Sequence, residues 1–214
     1  RGWGITYRPF LTNEPFVDNR QPEIVRYIKE NDPTARVEFN TNGELMTEKL
    51  AVELLAAGVD IMRFSVDGFS AATYEPSRVG IAYDKVLART TRFLELWDEG
   101  GYRDKVFTEL RMIEVPENTH EVEAYREFWA PKCTEVLVTQ MYQWPWTGQK
   151  REDVVRKPCL KILDEMFFYT DGNATICCWD VHERAVIGNV MEQSVQEIWE
   201  GYAANCLRGL LDDG

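Results

Sequence analysis

Two cysteines in the last third of the chain, Cys159 and Cys177, have a spacing that suits metal binding. Twelve residues separate Cys159 from Gly172, and four more separate Gly172 from Cys177. Aromatic and β-branched residues flank Asp171-Gly172, which predicts a β-hairpin with its turn at these two residues. Such a hairpin brings the start of its first strand near the end of its second, so that two thiolates can face one metal. Two ligands do not complete a four-coordinate site, so further ligands must come from elsewhere.

An alternative interpretation treats these cysteines as small buried hydrophobic side chains, which is common for free cysteine. The chain contains five cysteines, at positions 133, 159, 177, 178 and 206. An odd number without a visible export signal argues against a disulfide framework. Free thiols and metal ligands both remain open at this point.

The composition excludes two classes of partner. Acidic residues outnumber basic ones, 36 to 24, and the net charge of −12 comes without a Lys/Arg cluster, which argues against a nucleic-acid partner. No run approaches the length of about 18 apolar residues that a spanning helix needs, and no leader pattern is visible. We therefore expect no membrane partner and a cytoplasmic location. Because the chain begins at Arg1 and not at Met, we also expect a fragment trimmed at both ends.

Strand and helix patterns alternate through residues 1–142, the first predicted domain. The predicted strands are residues 4–8, 36–41, 61–66, 106–113 and 135–141. The predicted helices are residues 22–30, a helix from the cap Thr47 to Gly58, a long helix from Tyr83 to Gly100-Gly101, and one begun by a capping box of Asn118 and Glu121. This alternation predicts parallel βαβ units that close into a barrel or form an open doubly wound sheet.

Polar residues on one face of the strands help to choose between the two architectures. They are Glu38, Asn40 and Asn42 in the second strand, Arg63, Ser65 and Asp67 in the third, and Glu109 and Arg111 in the fourth. A doubly wound sheet is covered by helices on both faces and its strands are nearly all apolar. The polar face therefore favours a barrel interior that holds a polar ligand. The alternative is that these charges lie at strand ends and edges.

The pattern changes after Met141. Residues 143–157 are predicted to be a linker, and residues 158–214 a separate small domain. This domain contains the hairpin, the strand-like segment 186–190, and a helix that Ser194 and Glu197 begin as a capping box.

Several features of the small domain occur together in one known family. They are the spacing of Cys159, Gly172 and Cys177, the sequence Cys178-Trp179-Asp180, and residues 187–190 placed before residues 194–199. This combination resembles the auxiliary iron–sulfur extension of radical SAM enzymes, called the SPASM or twitch domain. The resemblance implies that Cys159 and Cys177 bind an auxiliary [4Fe-4S] cluster, with Cys178 as an accompanying residue.

Short segments of the first domain resemble motifs of the same enzymes. They are Asn13-Glu14-Pro15, Asn40-Thr41-Asn42-Gly43, Ser65-Val66-Asp67-Gly68 and Arg78-Val79-Gly80. The resemblance implies that the backbone after the first strand holds the methionyl amino group of S-adenosylmethionine. It also implies that Asn40, Ser65 and Arg78 lie near the ribose and carboxylate of that cofactor. The expected cofactor-binding residues are Asn13, Glu14, Asn40, Ser65, Asp67 and Arg78.

The likeness covers nearly the whole chain, as five of the six βα units of the family's partial barrel and the first part of the auxiliary domain. The Cys-x-x-x-Cys-x-x-Cys loop that binds the catalytic [4Fe-4S] cluster does not occur in residues 1–214. We expect that loop upstream of Arg1 and the later auxiliary cysteines after Gly214, so the ligands of the catalytic cluster lie outside this chain. The fragment alone is then expected to be inactive.

The resemblance implies an enzyme that cleaves S-adenosylmethionine to a 5′-deoxyadenosyl radical and removes hydrogen from a substrate. It further implies a peptide or a polar, sugar-like small molecule as substrate, and an electron donor such as flavodoxin or ferredoxin. The charged residues of the predicted barrel interior favour a polar substrate. Two alternatives remain: a degenerate barrel that acts as a non-catalytic binding partner, and an ordinary barrel enzyme with a zinc-bearing hairpin.

Overall fold

The protein is described here by a computed structural model that covers residues 4–141 and 159–209. The chain divides into two compact units, Arg1–Trp144 and Pro145–Gly214, which we describe separately. The predicted linker, residues 143–157, lies outside the described residues. Within the two covered ranges, no helix combines the length and the apolar character needed to cross a bilayer.

The first unit is built on a parallel five-stranded sheet whose strand order follows the chain order. Its strands are β1 Thr6–Tyr7, β2 Arg36–Thr41, β3 Ile61–Ser65, β4 Phe107–Glu114 and β5 Glu135–Gln140. The helices are α1 Gln21–Asn31, α2 Glu48–Ala57, α3 Ala71–Ser77, α4 Tyr83–Glu99 and α5 Val122–Trp129. Consecutive parallel pairing with helical crossovers is the arrangement of a partial (β/α) barrel, so the predicted fold class is confirmed.

Local sequence signals explain where the helices begin and end. The hydroxyl of Thr47 accepts a hydrogen bond from the backbone N–H of Leu50 at 3.2 Å and caps α2. The same helix ends at Gly58, whose φ of +90° lies in the left-handed region that favours glycine. The Thr47 cap and the Gly58 stop are both as predicted.

One face of the sheet carries the apolar core and packs against the helices. Phe39, Phe64 and Leu110 are completely buried there. The ring centroid of Phe64 lies 5.1 Å from that of Phe93 in α4. Full burial of side chains of this size contributes about 1.5–3 kcal/mol each, so this face holds the helices on the sheet. The polar residues of the strands lie on the opposite face of the sheet.

Two parts of this unit differ from the prediction. Helix α3 follows β3 and was not predicted, although Ser70 caps it by accepting from the N–H of Thr73 at 3.3 Å. The predicted capping box of Asn118 and Glu121 is wrong, because neither side chain caps a helix there. Both side chains bind other segments of the chain instead, as described below.

The second unit contains a three-stranded antiparallel sheet and short helices. Its strands are β6 Phe167–Phe168, β7 Asn173–Thr175 and β8 Gly188–Asn189, and its helices are α6 Lys161–Asp164, α7 Val195–Glu200 and α8 Tyr202–Gly209. Ala174, Ile176 and Ile198 lie in its buried core. The predicted capping box at α7 is confirmed: Ser194 and Glu197 exchange both hydrogen bonds.

Candidate functional site

The carboxyl ends of parallel strands lie at one edge of a sheet, and the predicted cofactor residues of the first unit lie at or beyond those ends. Glu14, after β1, is bound to the end of β2. Its carboxylate accepts a hydrogen bond from the hydroxyl of Thr41 at 2.6 Å and from the backbone N–H of Asn42 at 2.9 Å. Asn13 is exposed, and its side-chain oxygen accepts from the N–H of Leu11 at 3.1 Å. The two side chains therefore shape the loop after β1, which leaves its backbone as the part that can contact a ligand.

Asn40 in β2 and Ser65 in β3 point toward each other on the polar face of the sheet. The hydroxyl of Ser65 donates to the side-chain oxygen of Asn40 at 3.1 Å. Both residues are partly exposed, and the amide nitrogen of Asn40 makes no hydrogen bond within the described ranges. An amide donor and a hydroxyl at this place can bind the hydroxyl groups of a sugar.

Asp67 and Arg78 form an ion pair beyond the end of β3. The guanidinium Nε of Arg78 donates to Asp67 Oδ2 at 3.0 Å, and its Nη2 binds the same oxygen. The other oxygen of Asp67 accepts from the backbone N–H of Ile113 at 2.8 Å. Asp67 therefore holds Arg78 and also joins the ends of β3 and β4. A guanidinium fixed in this way can bind a carboxylate.

The polar face continues below these residues as an alternating chain of charges that runs from Arg8, just after β1, across β2, β3 and β4. Glu38 binds Arg8 at 3.1 Å and also binds Arg63, and Glu109 binds Arg63 at 3.4 Å and also binds Arg111. Glu38 and Glu109 are 7% and 4% exposed, so both carboxylates are buried and each has two arginine partners. Burial lowers the pKa of Arg63, while the nearby charge of Glu109 opposes that effect. The predicted polar interior is thus present, and Arg8 is a member that the sequence did not single out.

Asn118 and Glu121 are further site residues that the sequence pattern did not identify. Asn118 is 1% exposed, and its amide nitrogen donates to the carbonyls of Asp67 at 3.1 Å and Ile113 at 2.8 Å. Glu121 accepts from the N–H of Phe69 at 2.6 Å and from the hydroxyl groups of Ser70 and Thr73. The pattern Asn-x-x-Glu indicates a local cap, and nothing in it distinguishes a cap from these long-range bonds.

The hydrogen bonds of Glu121 make the stability of the first unit depend on pH in the acid range. Burial alone would raise the pKa of Glu121, but the bonds from Ser70, Phe69 N–H and Thr73 outweigh it and lower that pKa below the ordinary 4.5. A lowered folded-state pKa stabilises the fold above the unfolded-state value, and the stabilisation is lost as pH falls through the folded-state pKa. We expect the difference in unfolding free energy between wild type and Glu121→Gln to narrow as pH falls below 4.5.

Urea unfolding at a series of pH values measures this difference. Glu123→Gln removes the same charge from an exposed position two residues away and controls for net charge. Curves for wild type and Glu121→Gln that stay parallel through the acid range would contradict the prediction.

The hairpin of the second unit has the predicted turn. Gly172 has a φ of +91°, and a Cβ atom there would lie 2.6 Å from Asn189 Oδ1, so both the turn and the packing require glycine. Cys177 follows β7 and is exposed, as is Cys159. Cys159 is not at the start of the first hairpin strand, because helix α6 lies between it and β6.

Cys178 has a different environment from these two cysteines. It is only partly exposed, and burial raises the pKa of its thiol. The positive charge of Lys161 opposes this effect on the pKa, while Cys177 and Cys159 add to it, so Cys178 lies within electrostatic range of both of these cysteines. Residues 4–141 and 159–209 contain no group of three or more His, Cys, Asp or Glu side chains arranged to hold a metal ion. The two exposed thiols have the donor chemistry of an iron–sulfur ligand pair and need ligands beyond this set.

Comparison with known proteins agrees with both parts of this description. Residues 159–213 match the SPASM family, an iron-sulfur cluster-binding domain. BtrN in complex with AdoMet and 2-DOIA superposes with a TM-score of 0.59 at 17% identity, over 98% of this chain and 67% of BtrN. Native anSMEcpe with bound AdoMet and Kp18Cys peptide superposes with a TM-score of 0.65 at 14% identity, over 94% of this chain and 68% of that one.

A sequence relative is also known. An uncharacterized protein of Treponema pallidum (strain Nichols) is 27% identical over 94 residues, which are 42% of this chain and 26% of that protein. The chain thus spans about two thirds of the length of the solved structures, 67% and 68%, and a smaller share of this relative.

The family match confirms the resemblance of the small domain to the SPASM domain. The fold of the chain is similar to that of BtrN and anSMEcpe, and residues 159–213 of the second unit match the SPASM domain.

Proposed function

We propose that this chain is part of a radical SAM enzyme that acts on a peptide or a polar small molecule. The observation that carries the proposal is the edge of the sheet where the Glu14 loop, the Asn40–Ser65 pair and the Asp67–Arg78 pair lie at or beyond the carboxyl ends of β1 to β3. Below this edge lies the charged inner face. A partial barrel with a polar interior and polar groups at this edge suits a cofactor that is itself zwitterionic and carries a ribose.

S-adenosylmethionine fits the groups that the edge presents. The loop after β1 offers backbone carbonyls to the methionyl amino group, because the side chains of Asn13 and Glu14 are turned to their own neighbours. The Asn40–Ser65 pair would bind ribose hydroxyl groups, and Arg78 would bind the carboxylate. Asp67 fixes the direction of that guanidinium.

The exposed thiols of Cys159 and Cys177 fit an auxiliary [4Fe-4S] cluster, and a catalytic [4Fe-4S] cluster would be held by cysteines other than these. When bound and reduced by a donor such as flavodoxin or ferredoxin, the cofactors supply a 5′-deoxyadenosyl radical that removes a hydrogen atom from the substrate. The chain's own residues orient the cofactor, position the substrate in the barrel and exclude water.

The inner face supports a polar substrate. Glu38, Arg63, Glu109 and Arg111 present buried or half-buried charges to the barrel interior. The solved neighbours hold a peptide in one case and 2-DOIA in the other, and both kinds of substrate are compatible with such a surface.

The test uses the full-length protein, reconstituted anaerobically with iron and sulfide. We expect the reduced protein to convert S-adenosylmethionine to 5′-deoxyadenosine, which chromatography detects. Arg78→Ala is expected to weaken cofactor binding by ~10- to 100-fold in equilibrium dialysis, because a hydrogen bond between charged groups contributes about 1.5–3 kcal/mol.

Arg103→Ala is the matched control. Arg103 also binds a carboxylate, that of Asp98, but lies exposed on the helical side of the unit. The Arg103→Ala variant should leave the affinity for S-adenosylmethionine unchanged. A folded protein that holds no iron–sulfur cluster and produces no 5′-deoxyadenosine would favour a non-catalytic barrel, and bound zinc without iron or sulfide would favour the zinc-hairpin alternative.

A further inference from the structure

The side chain of Asn118 occupies a central position between the ends of two strands. The regular pairing of β3 with β4 ends where the N–H of Val66 donates to the carbonyl of Arg111 at 2.9 Å. Beyond that point the two chains are joined by side chains. Asp67 accepts from the N–H of Ile113, and Asn118 donates to the carbonyls of both Asp67 and Ile113.

Every hydrogen-bonding group of the Asn118 amide is used. Its nitrogen makes the two bonds just described, and its oxygen accepts from the N–H of Val115 at 2.8 Å. The residue is 1% exposed, so water cannot replace these bonds. Only a side chain with two donors and one acceptor at this length satisfies the site, which asparagine alone provides.

Asn118 binds the backbone carbonyl of Asp67, and the side-chain carboxylate of the same Asp67 binds Arg78. One oxygen of this carboxylate is bound to Ile113 and the other to Arg78. A shift of the Asp67 backbone therefore moves the guanidinium. Glu121 supports the next part of the same loop through Phe69, Ser70 and Thr73.

We infer that Asn118 is a positioning residue that sets the Asp67–Arg78 pair for binding of the cofactor carboxylate. This inference rests on the proposed function, because it assigns Asn118 an effect on affinity for S-adenosylmethionine through Arg78. A small misplacement of a binding group lowers affinity even when the fold is intact.

A double-mutant cycle on the reconstituted full-length protein tests the inference, with S-adenosylmethionine binding measured by equilibrium dialysis without reductant. If Asn118 acts through Arg78, Asn118→Ala should weaken binding ~tenfold in the wild-type background and less than about twofold in the Arg78→Ala background. Equal weakening in both backgrounds, or none in the wild-type background, would overturn the inference.

Two further variants separate positioning from general destabilisation. Val25→Ala removes buried volume from α1, where Val25 is completely buried, and should lower the thermal midpoint without changing cofactor affinity. The inference would also be overturned if Val25→Ala lowered the thermal midpoint as much as Asn118→Ala does and lost a similar share of its affinity for S-adenosylmethionine. Asn118→Ser, which places a shorter hydrogen-bonding group at this position, takes the place of Asn118→Ala if the alanine variant does not fold.

The outcomes also distinguish the two proposals. If Arg78→Ala leaves the affinity for S-adenosylmethionine unchanged, the proposed cofactor site is wrong, and the role of Asn118 fails with it. If Arg78→Ala weakens binding and Asn118→Ala does not, the proposed function stands and the positioning role alone is wrong.

Discussion

Replacing Cys177 by alanine in the full-length protein is expected to remove the iron, the sulfide and the charge-transfer absorbance of the auxiliary cluster. Cys177 is exposed after β7, at the end of the hairpin, where its sulfur can reach a metal. Loss of one thiolate from an iron–sulfur site leaves an iron without its ligand. Iron and sulfide analysis with absorbance spectroscopy on the anaerobically reconstituted protein measures the effect.

Cys178→Ala is the matched control, since it removes the same group from the neighbouring position. Cys178 is half-buried and the pKa of its thiol is raised by burial, which disfavours the thiolate that a metal needs. We expect this variant to keep most of its iron and absorbance. The reverse result, with loss in Cys178→Ala and retention in Cys177→Ala, would show that Cys178 is the ligand.

Replacing Arg63 by methionine is expected to destabilise the first unit by at most about 3–5 kcal/mol, the cost of removing one partner from a buried ion pair. This is an upper bound because Glu38 keeps Arg8 and Glu109 keeps Arg111 as a partner. Arg63 is the shared partner of Glu38 and Glu109, and both carboxylates are buried. Methionine keeps much of the side-chain volume, so the loss reports charge and not packing. Urea unfolding followed by circular dichroism at neutral pH measures the change.

Two comparisons make this prediction specific. Arg92→Met also removes an arginine with several carboxylate partners, but these are exposed on the helices, and we expect a much smaller change. The triple variant Arg63→Met, Glu38→Gln, Glu109→Gln should recover part of the lost stability, because it also removes the two buried carboxylates, while Arg8 and Arg111 are exposed enough to be solvated. A similar loss in Arg63→Met and Arg92→Met would contradict the role assigned to burial.

The sequence predicted the elements whose signals are local. The strand at residues 36–41, the cap at Thr47 and the turn at Asp171-Gly172 all depend on neighbours a few residues away. The pairing of Asn40 with Ser65 was also predictable, because both lie on the polar face of adjacent parallel strands. The partial barrel follows from these same patterns.

The interactions that depend on tertiary contacts could not be predicted in this way. Asn118 and Glu121 have the spacing of a local cap, but partners about 50 residues earlier in the chain compete for their side chains and bind them. Which arginine meets which glutamate on the inner face depends on the stagger between strands, and spacing along the chain does not fix it. Helix α6 was missed because it is only four residues long.

The alternation of charged and apolar residues in β2 to β4 has a consequence for how the sheet assembles. Arg63 lies opposite Glu109 in the β3–β4 register, while Phe64 lies opposite Leu110 on the other side. If either strand slipped by one residue, a guanidinium or carboxylate would enter the layer between sheet and helices, and an apolar side chain would replace it inside the barrel. Misaligned sheets are therefore much less stable than the native one, and the same charges that line the interior also select the correct alignment during folding.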